Sequence, residues 1–180
     1  MDNLSKIKKF SKKIQLLLSL LMVVIPLYYI SYWLFINYLP ETLINVNIKP
    51  TPLIPNQLPI KLQIIGFIAC LLPLSALIYV ITNIRKLFSF YKEGVIFSFM
   101  HVSLFKNTAK ALMLWIFLSI IYESVKSVIF SAGNPPGSGV LKIEFSSAAI
   151  TTLLVGGIAL VIAWVMDEGR ILSEEYELTV

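Results

Sequence analysis

The sequence predicts an all-α protein, a bundle of four transmembrane helices whose second to fourth members continue beyond the bilayer. Three observations lead there. Of the 180 residues, 57% are hydrophobic and 14% charged, with a mean hydropathy of +0.82; a soluble globular chain is about 45–50% apolar and about 25% charged. Four apolar runs reach the roughly 20 residues that cross a bilayer. The basic residues gather in blocks beside those runs. The chain is expected to form one membrane domain, with lipid in place of a soluble core.

The net charge of +5 and pI near 9.3 would suit a nucleic-acid ligand if the charge lay on one soluble face. Placed beside apolar runs it suits anionic headgroups instead, and no direct contact with nucleic acid is expected. The single cysteine, Cys70, excludes an intrachain disulfide and reads as a small packing residue.

The first span covers residues 14–39, after Lys6, Lys8, Lys9, Lys12 and Lys13. It is longer than the apolar region of a signal peptide. No alanine occurs before Ala69 to provide an A-x-A-like cleavage site, so an uncleaved anchor is expected. Pro26 should bend it, and Tyr28, Tyr29, Tyr32, Trp33 and Tyr38 should mark its interfacial end. The second span, 62–84, carries Pro73, a second expected kink, and the third covers 111–130. The fourth, 146–166, carries Ala148, Thr152 and Gly156 four apart with Gly157 beside them. Such a ridge of small residues lets backbones approach, within the bundle or across a homo-oligomer interface.

Lysine and arginine placement sets the expected orientation. Eleven lie before the first span, between the second and third, or after the fourth. Lys49, Lys61, Lys126 and Lys142 make up the other four. The basic side is expected to be cytoplasmic, with both termini there.

On that side the segment from Arg85 to Lys110 has helical periodicity through Leu87, Phe88 and Tyr91. The second helix should run to about Glu93, turn over Gly94–Ser98, and return with Ser98 as N-cap. Its aromatics, Phe88, Phe90, Tyr91, Phe97, Phe99 and Phe105, should face headgroups or pack between the arms. Asp167, Glu168, Glu174, Glu175 and Glu177 give the last fourteen residues half of the chain's ten acids. They are expected either to dock on Arg85, Lys86 and Lys92 or to stay solvated. With Tyr91 and Arg170, these residues form a candidate surface for a cytoplasmic protein partner.

Two stretches carry a family resemblance. Leu87-Phe88-Ser89-Phe90-Tyr91-Lys92-Glu93-Gly94-Val95-Ile96-Phe97-Ser98 resembles the LF-x-x-Y-x-x-G-x-x-F-[ST] passage of the bacterial membrane family called domain of unknown function 2975. The ending from Asp167 to Val180 is similar to that family's, with Glu168-Gly169, an acidic run and Leu178-Thr179-Val180. The turn into the third span departs from it, carrying Met100-His101-Val102. The resemblance implies four spans and no established activity. By genomic association it implies a small helix-turn-helix regulator as partner.

On the opposite side, five prolines between Pro40 and Pro59 exclude a long helix. Residues 43–49 and 140–145 alternate apolar and polar, which predicts a small two-stranded β element.

For chemistry, one histidine and one cysteine supply neither a zinc site nor a nucleophile–base pair of familiar type, so no enzyme and no cofactor is expected. His101 is expected at headgroup level. The intramembrane ionisable pair is Glu123 and Lys126, three apart on the third span, either with Lys126 reaching outward to the interface or as a functional site. Two functions remain: a binding or regulatory protein acting through its cytoplasmic hairpin and tail, or a subunit of a small oligomeric channel or transporter.

Overall fold

The computed structural model describes residues 3–39, 57–93, 99–132, 141, 143 and 147–178, with side chains from Ser5 to Leu172. Four long helices carry the fold: α1 (Asn3–Leu34), α2 (Ile60–Glu93), α3 (Phe99–Ser131) and α4 (Ser147–Leu178), with a 3-10 turn at Ile36–Tyr38 after α1. At 1.5 Å per residue, helices of 32 to 34 residues are about 48–51 Å long, against a hydrocarbon thickness of about 30 Å. Each is longer than the hydrocarbon alone requires. The bounds at Glu93 and Phe99 fall where the sequence periodicity ends. The turn 94–98 between them, with its expected cap Ser98, lies outside the described residues. Most of the expected β element also lies outside them, and Leu141 and Ile143, which are described, are not in a strand.

Lipid explains the composition of the helix faces. On α1 and α4 the outward side chains are leucine, isoleucine and valine, with Leu16 72% and Val165 66% exposed; a soluble helix would be polar there. All four helices have the length and apolarity of membrane spans. Serine and threonine hydroxyls within them bond to their own helix, which suits hydrocarbon: Ser19 donates to the Gln15 carbonyl, Thr82 to Ile78, Ser124 to Ile120 and Thr152 to Ala148. Pro26 and Pro73 sit inside helices that continue past them.

The helices pack in sequence, α1 on α2, α2 on α3 and α3 on α4, and among the described residues no comparable seam joins α1 to α4. The main apolar cluster lies at the end of the bundle opposite the lysine-rich start of α1. It comprises Trp33, Ile36, Leu58, Cys70, Tyr122, Ile129 and Phe130. Trp33, expected among the interfacial rings, is packed inside the bundle, 2% exposed and lying over Gly66 of α2. Its indole N–H donates to the Tyr122 hydroxyl at 3.1 Å, and its ring stacks near Phe130. A single side chain thus joins three helices. Nearby, the Asn37 amide brackets Leu58, donating to its carbonyl at 3.2 Å and accepting from its N–H at 2.7 Å, while Gln63 donates to the same carbonyl. This fastens the base of the proline-rich connection.

Candidate functional site

The antiparallel register brings the C-terminal turns of α2, the first turns of α3 and the later turns of α4 to the basic end. Outside the hydrocarbon-length stretches, this end is packed rather than splayed. His101 is fully buried between Tyr91 and Phe90, with ring centroids 5.0 and 5.3 Å away. The α2–α3 register turns His101 into the seam of the hairpin and away from solvent. Burial lowers its pKa below the ordinary histidine value, because the charged ring would lose its hydration.

One helix further along, Lys106 of α3 donates to Asp167 Oδ2 at 2.8 Å, and Arg170 donates to Asp167 Oδ1 at 3.2 Å. The Arg170 guanidinium also lies 5.6 Å from the centre of the exposed Phe99 ring. Asp167 is the hub of this clamp. The Lys106 hydrogen bond is the main cause that holds its carboxyl below the usual range, with Arg170 adding to it.

The candidate partner residues divide accordingly. Asp167 and Arg170 are brought together on Lys106, whereas Arg85, Lys86 and Lys92 on α2 and Glu168 on α4 are exposed, and Tyr91 is half-buried in the hairpin. The described acidic contact is therefore with α3 rather than with Arg85 and Lys86, since α4 is the neighbour of α3. The α4 backbone is helical to Leu178, and the side chains of Glu174, Glu175 and Glu177 lie outside the described residues.

Toward the opposite end, Glu123 and Lys126 pair within α3, the ammonium lying 2.8 Å from Oε1 and 2.7 Å from Oε2. Lys126 is the buried member of this pair. The Lys126 side chain is 9% exposed and lies over the Tyr122 ring, while that of Glu123 is 54% exposed. On α4, Gly156 is buried, and a methyl there would lie 3.7 Å from the Ala109 carbonyl oxygen and from Leu112. Thr152 and Gly157 are half-buried and Ala148 is exposed, so the small-residue ridge meets α3 mainly at Gly156. Gly157 instead opens a notch of about 550 Å³ toward the outside, lined by Leu153, Leu154 and Val161 among others.

Sequence reasoning missed the roles of Lys106, Phe99, Trp33 and Gly66. Lys106 was visible as an unassigned cation 61 residues from its acid. A tryptophan and a glycine in adjacent spans offered a size match that periodicity cannot pair. Asn83, near the end of the second span, is buried with its Nδ2 unpartnered among the described residues. Among the described residues no three His, Cys, Asp or Glu side chains are grouped to hold a metal.

Fold and composition define a multi-pass membrane protein built as a four-helix bundle. Its family follows from comparison: the model for "Protein of unknown function (DUF2975)" matches residues 26–180, and the chain belongs to that family. No curated protein and no solved structure matches it.

Proposed function

We propose that this is a non-enzymatic binding or regulatory protein of a bacterial inner membrane, with both termini cytoplasmic, whose basic end engages a protein partner. The supporting observation is the Asp167 clamp. Helix extensions serving only insertion would need no contact beyond the hydrocarbon. These are tied to one another by a cross-helix ion pair, a buried histidine stack and an Arg–Phe contact. The tied extensions present Arg85, Lys86 and Lys92 from a rigid base, so a partner would meet a preformed surface at little ordering cost. The partner class suggested by the family resemblance is a small helix-turn-helix regulator, held at the membrane by protein contacts and not by DNA.

Co-purification from native membranes tests this reading. The intact chain should retain a cytoplasmic protein, and deletion of residues 167–180 should release it. Equal retention after the deletion would remove the clamp and tail from the interface. The second reading, a channel or transporter subunit, is favoured by one observation, the half-exposed carboxylate of Glu123. An ion flux altered by Glu123→Ala without loss of any bound protein would support it over the first.

A further inference from the structure

Positive charge is unevenly answered in this molecule. Among the described residues, Lys106 and Arg170 pair with Asp167, and Lys126 pairs with Glu123. Lys12 and Lys13 of α1 and Arg85 and Lys86 of α2 are exposed and have no acidic partner among the described residues. Residues 5–13 of α1 include no acid, and on α2 the first acid after Lys86 is Glu93, about 10 Å further along the helix.

Helix register brings these four cations to one level. α1 packs on α2, and Trp33 over Gly66 fixes the antiparallel alignment of the two. Both helices run unbroken from there to the basic end, so equal steps of about 1.5 Å set Lys12 and Lys13 opposite Leu87 and Lys86. The helices are still packed at that level, where Ser11 is 1% and Leu87 7% exposed. The cations therefore stand together on axes about 8–10 Å apart. The same level is the edge of the hydrocarbon. Residues 14–34 of α1 and 62–84 of α2 carry no charge, and each stretch rises about 30–34 Å, enough to cross it. Lys12, Lys13, Arg85 and Lys86 follow directly on those stretches, where the phosphates of a phospholipid lie. On the next turns of α1, Leu16, Leu17 and Leu20 are exposed.

We propose that the α1–α2 end binds a phospholipid carrying two phosphates, one held by Lys12 and Lys13 and the other by Arg85 and Lys86, with its acyl chains along Leu16, Leu17 and Leu20. Four cations exceed what one monoanionic phosphate neutralises, and they fall into one pair on each helix. A soluble polyphosphate would offer the same anion, but the position at the hydrocarbon edge favours the lipid. The site does not rest on the protein-partner reading. It needs Lys12 and Lys13, which that surface does not include, and Lys92 lies about 9 Å beyond Lys86 along α2.

Native mass spectrometry of the full chain in detergent tests the proposal with three probes: tetraoleoyl cardiolipin, which has two phosphates, dioleoylphosphatidylglycerol, which has one, and inorganic pyrophosphate. Cardiolipin should be retained about tenfold above phosphatidylglycerol, and pyrophosphate should not be retained. Lys12→Gln/Lys13→Gln and Arg85→Gln/Lys86→Gln each remove the pair of one helix at exposed positions, so the packing is left intact. Each should lower cardiolipin retention about tenfold. Lys6→Gln/Lys61→Gln removes as much charge outside the site and should leave retention unchanged. Equal retention of the two lipids, or retention of pyrophosphate to the same extent as cardiolipin, would overturn the proposal. So would an equal loss in Lys6→Gln/Lys61→Gln.

Discussion

Gly66 has no room for a methyl group, because a Cβ there would run into the Trp33 ring. Gly66→Ala forces the indole from its place over α2, and with it the hydrogen bond to Tyr122 and the stack on Phe130. Overpacking of this kind costs about 1–3 kcal/mol. The variant should melt several degrees below wild type, and the Gly66→Ala/Trp33→Phe pair should recover part of the loss. The same scale governs Glu123 and Lys126. Because Lys126 is the buried partner, Glu123→Gln strands an ammonium in the bundle and should cost about 3 kcal/mol, whereas the double variant with Lys126→Met should cost less than that single change. Chemical denaturation of these two and of the Lys126→Met single variant gives the comparison. Additive costs would mean that the pair does not hold Lys126 in place.

At the scale of elements, the extensions are held by two groups that titrate in different windows. The folded-state pKa of His101 is lowered, so its contribution is present above the unfolded histidine value of about 6.5 and lost as pH falls through that value. Asp167 is also lowered, by the Lys106 hydrogen bond first. Its contribution is present above the unfolded carboxylate value of about 3.9 and lost as pH falls below it. Hydrogen exchange should therefore show the α2–α3 hairpin loosening between pH 7 and pH 5.5, while the α3–α4 contact at Asp167 holds to about pH 4. Lys106→Met should expose the α4 amides after Met166 at neutral pH and leave those of α2 unchanged. The helix ends at Glu93 and Phe99 were legible because Leu87, Phe88 and Tyr91 carry the helical period past the hydrocarbon. The partner of α4 was not. Charge alone pairs the acidic tail equally well with Arg85, Lys86 or Lys106, and only the stacking order of the helices decides for Lys106.

For the whole molecule, four apolar runs made the class and the family plain, since hydrocarbon tolerates few alternatives to helices of that length. The interior was less legible. In a chain that is apolar on every face, periodicity no longer separates lipid-facing from buried positions. That is why Trp33 read as interfacial and Lys126 as outward-reaching, although both are buried. What distinguishes the two ends is polar contact: an intrahelical ion pair at one, a clamp across helices at the other. The central claim is that the clamped basic end is a cytoplasmic docking surface, and photo-crosslinking in intact cells tests it most directly. A photoreactive residue in place of Lys92 should give a discrete adduct with a cytoplasmic protein, and the adduct should disappear when residues 167–180 are deleted. Crosslinks from that position to lipid alone, or to a protein on the opposite side of the membrane, would contradict it.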